Sequence, residues 1–326
     1  MDVAAFCRQS HVLVVAGKGG VGKTTITAAL ARTAAAAGLS VLVLELEGKP
    51  GVPAAYGLPG SLGYEEAELA EGADGADGRV RARRITPDDA LLEYLTDHGM
   101  RRVSKRLVSS GALDVVSTAI PGIRDILVLG KVKSLEREEA ADLILVDAPA
   151  TGHAMTFLTS AQGLLDAARS GPVRTQAADV VEMLTDPVRC QVALVTLPEE
   201  MPVNEVVEAA YQLEDRVGIS LGPVIANACL PDEPELCTDP AEAAEAAGVR
   251  LTPIELEALE AAAHFRAQRR LLQEEQLTRL GRELPLPQLR APFLFSSSIG
   301  PAEVGTLADA LAAGIARLPE PADADR

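Results

Sequence analysis

Nine residues near the start of the chain, Gly17-Lys18-Gly19-Gly20-Val21-Gly22-Lys23-Thr24-Thr25, constrain its fold more than any other stretch. They fit the pattern G-x-x-x-x-G-K-[ST], and their setting matters as much as their spelling. Residues 11–16 (HVLVVA) are a short apolar run that reads as a buried strand, and residues 23–37 read as an alanine-rich helix stopped by Gly38. Residues 41–46 (VLVLEL) repeat the strand pattern. Strand, helix, strand within so short a span is a βαβ unit, which implies a parallel sheet. At the first turn of that unit, glycines let successive backbone N–H groups converge on an anion where bulkier residues would obstruct it. The helix N-terminus adds partial positive charge at the same place. A triphosphate suits this geometry. Gly17, Gly19, Gly20, Val21 and Gly22 would cradle it, Lys23 would reach its β- and γ-phosphates, Thr24 would place a hydroxyl on Mg²⁺, and Thr25 would bond the α-phosphate. The expected ligands are ATP and Mg²⁺.

The alternation resumes further on. Residues 143–146 (LILV) end in Asp147, residues 191–197 (QVALVTL) precede a helix over 203–217, and residues 224–226 (VIA) end in Asn227. Residues 293–295 are expected to form a last strand before a helix over 301–317. These strands are apolar on both faces, so helices should cover both sides of the sheet. The expected fold is α/β, a P-loop NTPase with a doubly wound, mostly parallel sheet and an inserted helical subdomain. Residues 10–318 read as one ATPase domain, the helical insertion falling at about 87–140 and 153–187. Residues 254–284 read as a long charged helix with a solvated face, residues 71–78 as a loop, and residues 319–326 as a disordered tail.

Charge and composition narrow the partners. A net charge of −17 repels polyanions, and aromatics at 3% offer no stacking platform, so no nucleic-acid partner is expected. The one dense basic run, residues 79–84 (RVRARR), reads as an exposed strand end. Residues 1–10 (MDVAAFCRQS) lack a signal-peptide layout, and no apolar stretch approaches the roughly 18 residues of a transmembrane helix. A cytoplasmic protein without stable membrane insertion is expected. Cys7, Cys190, Cys229 and Cys237 are too scattered for a disulfide framework and form no C-x-x-C pair.

Two further features resemble a known family. Lys18 is a second lysine inside the phosphate loop, the mark of the deviant Walker A ATPases. There the extra lysine reaches across a dimer interface to the partner's nucleotide, which implies a homodimer or a heterodimer with a paralogue. Asp147-Ala148-Pro149-Ala150-Thr151-Gly152-His153 resembles the D-T-A-P-T-G-H segment of the ArsA/Get-type ATPases, which comprise arsenite-efflux ATPases and tail-anchored-protein targeting factors. Asp147, ending a buried strand, would hold Mg²⁺ with Thr24, and His153 would either couple nucleotide state to the helix that follows or serve a structural role. Pro121-Gly122-Ile123-Arg124-Asp125 looks like the family's P-G-x-x-E segment, and Leu197-Pro198-Glu199-Glu200 like its post-strand P-E motif. Asn227 matches the position whose side chain reads the adenine ring. The resemblance spans most of residues 10–315.

The departures matter as much. Where the family has D-x-D-P-A-H, this chain has Glu45-Leu46-Glu47-Gly48-Lys49-Pro50, so Glu47 inherits the role of activating water. Its extra methylene displaces the carboxylate by about 1 Å, a shift that can cost on the order of 10²-fold, and turnover is expected to be slow. The catalytic set implied is Lys18, Lys23, Glu47 and Asp147. No cysteine cluster suits a metalloid, but Leu91, Leu92, Leu95, Ile126, Leu127 and Leu129 in the insertion offer either a subdomain core or a groove for a hydrophobic protein client. Two other readings compete with a client-handling ATPase. One is a regulatory ATP-binding protein with negligible turnover. The other is a Par- or Min-type positioning ATPase, which would need a basic DNA-facing or membrane-facing surface.

Overall fold

The computed structural model describes residues 1–46, 51–71, 78–97, 122–233, 236 and 238–320. Its strands are β1 (Val12–Gly17), β2 (Ser40–Leu46), β3 (Ala67–Glu71), β4 (Arg79–Ile85), β5 (Leu143–Ala150), β6 (Cys190–Thr196), β7 (Leu221–Cys229) and β8 (Gln288–Pro292). They form one sheet in the order β3-β4-β2-β5-β1-β6-β7-β8. All neighbours run parallel except β3, which pairs antiparallel with β4 at the edge. The described helices are α1 (Val3–Cys7), α2 (Lys23–Ala36), α3 (Val52–Ala55), α4 (Pro87–Asp97), α5 (Ile123–Arg137), α6 (Thr151–Ala167), α7 (Pro172–Thr185), α8 (Glu200–Val217), α9 (Pro240–Ala247), α10 (Pro253–Glu283) and α11 (Pro301–Ala316).

Successive residues of a strand point to opposite faces, and here both faces are apolar. Val12, Val14, Leu42, Leu44, Ile144, Val146, Val192 and Leu194 pack on one side with α5, α6, α7 and α8. Their neighbours Leu13, Val15, Val41, Val43, Leu143, Leu145, Ala193 and Val195 pack on the other with α1, α2 and α11. This is the expected doubly wound α/β arrangement. Helices α4 to α7 share the first of these cores with the sheet through Ala90, Ile126, Leu129, Phe157, Leu158 and Met183. The helical insertion is therefore part of a layer on the sheet.

Several expectations need correction. Residues 79–84 are not an exposed strand end but most of β4, hydrogen-bonded between β2 and β3. Alternation explains how a strand of four arginines is buried: Val80 and Ala82 enter the core on one face and Ile85 the core on the other, where Arg81 pairs with Glu66 and Arg83 stacks over the Tyr64 ring at 4.3 Å. The last strand is Gln288–Pro292, not residues 293–295. Leu289 and Ala291 fill the core beside β7, and the more apolar Phe293 and Phe295 lie beyond it, exposed. The stretch expected as a loop over 71–78 begins within β3, at Glu71, and residues 72–77 lie outside the described residues. Residues 321–326 of the expected tail lie outside them too.

Candidate active site

The carboxyl ends of β1 and β5 and the start of α2 meet at one point. β1 delivers Gly17, where a Cβ would stand 2.3 Å from the Val195 carbonyl oxygen of the neighbouring strand, so only glycine passes. Gly22, with φ of 89°, lies just ahead of α2, and a Cβ there would stand 2.3 Å from the Asn227 side-chain nitrogen. That same nitrogen, Nδ2, donates to the Val21 carbonyl at 2.9 Å, so β7 fastens the loop to the sheet. Lys18, Gly19 and Gly20 are exposed, while Val21 is buried beneath them. The result is an open cradle with a fixed floor.

Lys23 is almost fully buried, and its ammonium donates to the Lys18 carbonyl at 2.8 Å, folded into the loop it would serve. Thr24, on the first turn of α2, donates its hydroxyl to Asp147 Oδ2 at 2.6 Å. Asp147 is 2% exposed and lies inside β5, which runs on to Ala150 rather than ending at the acid. Lys18 forms an ion pair with Glu205 of α8 in its own chain. Thr25 occupies the next position of α2. Glu47, Pro121 and Cys237 lie outside the described residues, and the same holds for the side chain of His153, whose backbone opens α6. Asp125 stands in the first turn of α5, and Glu199 is the residue preceding α8, where it pairs with Arg269.

The site's surroundings fit a phosphate-bound hard cation. A hydroxyl and a carboxylate oxygen converge, and the described residues hold no group of three or more His, Cys, Asp or Glu able to cage a metal. Mg²⁺ suits such a sparse donor set, because it takes one or two protein oxygens and fills its octahedron with phosphate and water. Soft-metal chemistry fits poorly. Cys7, Cys190 and Cys229 are free and buried, and burial pushes the Cys7 and Cys190 thiols up to about 12 and Cys229 to about 11.

Two acids near the site escaped the sequence reading as site residues. In register across four parallel strands, Arg84, Glu45, Asp147 and Val15 form one row. Glu45 is fully buried, and neither carboxylate oxygen has a hydrogen-bond partner of ordinary geometry among the described residues. Burial pushes its carboxyl above the ordinary range and Asp147 adds to the push, while Arg84 and the backbone N–H groups of Gly51 and Val52 oppose it. Period-two alternation from Val41 and Val43 could have marked Glu45 as buried. For Glu205, no sequence signal pointed at Lys18. A cavity of about 830 Å³ lies elsewhere, between α4, α5 and α7, with Leu91, Ile126 and Leu127 among its lining. Its walls are mostly apolar, with Glu93, Lys131, Lys133, Arg137 and Asp179 also on its lining.

Residues 10–168 and 167–257 match the anion-transporting ATPase family. The chain is 38% identical over 248 residues to ATPase BagA of Mycobacterium tuberculosis, covering 71% of this chain and 68% of that one. It is 29% identical over 215 residues to an arsenical pump-driving ATPase of Escherichia coli, covering 65% of this chain and 34% of that one. It is also 29% identical over 146 residues to ATPase get3 of Schizosaccharomyces japonicus, covering 45% and 42%.

Proposed function

Because the chain belongs to the anion-transporting ATPase family and is an ATPase by that membership, we propose that it binds Mg-ATP at residues 17–25 and hydrolyses it slowly as a dimer. The observation that carries this reading is the Thr24–Asp147 contact of 2.6 Å at the mouth of the glycine loop, with Lys23 folded in beside it. Thr24 and Asp147 supply the two oxygens for Mg²⁺, which when bound would neutralise phosphate charge and fix its orientation. Lys23 exchanges the Lys18 carbonyl for phosphate oxygens. Backbone N–H groups of residues 19–25 bind the phosphates, and Asn227, beside Gly22, contacts the base. Lys18 must leave Glu205 before it can serve a partner's nucleotide, and Glu47 orients the attacking water.

The partner is a second copy or a paralogue. A hydrophobic protein segment is the client this reading assigns to the cavity between α4, α5 and α7, and the apolar part of its lining, Leu91, Ile126 and Leu127 included, supports it. Raised thiol pKa values argue against a metalloid cargo at the three described cysteines. The protein acts in the cytoplasm in this reading; among the described residues no helix is long and apolar enough to cross a membrane. The Lys18–Glu205 pair favours a second reading, a regulatory ATP-binding protein whose signature lysine is withheld.

Calorimetry with Mg-ATP and steady-state phosphate release test both. Lys23→Ala should abolish binding, whereas Lys18→Ala should bind normally and lose turnover by about 10²-fold or more. Phosphate release unchanged in Lys18→Ala would remove that lysine from the mechanism, and equal turnover in Glu47→Gln would remove Glu47.

A further inference from the structure

The Thr24 side chain is held at both of its branches. Asp147 accepts its hydroxyl at 2.6 Å. Gly51, the residue ahead of α3, abuts its methyl group: a Cβ at Gly51 would lie 2.9 Å from Thr24 Cγ2. Threonine is stiff at χ1, so holding both branches fixes the direction of the hydroxyl. The hydroxyl proton is committed to Asp147, which leaves the lone pairs of the oxygen for a cation.

Glu45 closes the arrangement. It is the in-register neighbour of Asp147 on the adjacent parallel strand. Two residues beyond Val43 and Leu145, both carboxylates leave the sheet on the side that α2 covers. No side chain among the described residues donates to Glu45, which is fully buried. The donors that favour its charged form are the backbone N–H groups of Gly51 and Val52. Val52, itself fully buried, seats α3 in the core, but an apolar contact does not orient the peptide that precedes it. An acceptor shared by two consecutive N–H groups does.

We propose that Glu45 is a positioning residue for the magnesium site: it holds the Gly51–Val52 backbone against Thr24, and through that contact keeps the Thr24 hydroxyl aimed at the metal. Glu45 touches neither nucleotide nor cation in this role. Mg²⁺ demands near-ideal octahedral geometry, so a misdirected hydroxyl weakens its hold. The phosphates are bound by other groups, the N–H groups of residues 19–25 and Lys23. Loss of Glu45 therefore costs the metal's share of binding and spares the rest. The inference deepens the Mg-ATP reading above and rests on it.

Calorimetry of the full chain with ATP, in EDTA and in excess Mg²⁺, tests it, because the ratio of the two affinities reads the metal's contribution. Glu45→Leu, which fills the space but accepts nothing, should lower that ratio at least about ten-fold and leave the metal-free affinity within about two-fold. Glu45→Gln keeps an oxygen for the two N–H groups and should hold the ratio within about three-fold of the parent. Gly51→Ala, whose new methyl group presses on Thr24, should reproduce the loss with Glu45 intact. An unchanged ratio in Glu45→Leu, equal losses with and without metal, or a Glu45→Gln chain as impaired as Glu45→Leu would each overturn the proposal. Hydrogen exchange reads the tether without nucleotide: the Gly51 and Val52 amides should exchange at least about ten-fold faster in Glu45→Leu than in the parent or in Glu45→Gln. Equal exchange in all three would remove the tether. An unaltered chain that bound no ATP under either condition would sink the Mg-ATP reading, and exchange would still decide whether Glu45 holds that backbone.

Discussion

Glu45 and Asp147 stand side by side on β2 and β5, yet their oxygens are treated differently. Asp147 accepts from Thr24, whereas Glu45 is sealed beside it without a hydrogen-bond partner of ordinary geometry among the described residues. Its carboxyl is held above the ordinary value of 4.5, chiefly by burial. The linkage sign follows from the raised folded value. Below pH 4.5 both states hold the proton and nothing is lost; as pH rises past that value the unfolded chain releases it first, and stability falls until the folded carboxyl also ionises. Glu45→Gln should therefore raise the thermal midpoint at neutral pH, with the gain shrinking to nothing toward pH 4.5. Melting curves across that range check it, and a gain that grows on acidification would contradict it.

At the scale of elements, the layer of α5, α6 and α7 is tied to the sheet by more than apolar packing. Arg189, entering β6, grips Glu136 of α5 with two hydrogen bonds of 3.0 and 2.7 Å, and Glu136 is 7% exposed. Two parallel bonds from a guanidinium fix orientation as well as distance, so this pair sets how α5 lies against β6. Removing Glu136 leaves the mostly buried Arg189 with the longer contact to Glu182 at 3.5 Å in place of two close hydrogen bonds. Glu136→Ala should destabilise the protein by about 3 kcal/mol in urea unfolding while leaving Mg-ATP affinity unchanged, because the pair lies on the face of the sheet away from α2. A loss below about 0.5 kcal/mol would mean that packing alone seats the helix.

For the whole molecule, the net charge of −17 is the dominant long-range term. Two such chains repel at a distance even where their surfaces attract on contact. Screening shortens the reach of that repulsion from roughly 20 Å at 20 mM salt to about 6 Å at 300 mM. Dimerisation in the presence of Mg-ATP should therefore tighten as salt is added over that range, as read by sedimentation. Weakening with salt would show that ion pairs across the contact outweigh the overall repulsion.

The glycine loop, its flanking strand and helix, and the alternation that follows were legible because each is local: period, glycine spacing and the lysine lie within one stretch of chain. Asp147 was legible for the same reason, as an acid after a buried run. β3 and β4 were not, because arginine-rich β4 takes its burial from partners, Glu66 and Tyr64, that only folding brings near. Residues 293–295 misled because apolar content was read without register, and register is set by the neighbouring strand. Sequence alone thus determined the fold class and the place of the glycine loop. Only tertiary structure decided that Glu45 lies beside Asp147 and that Lys18 is held by Glu205. Those two facts depend on contacts between residues far apart in the chain, and no local pattern encodes them.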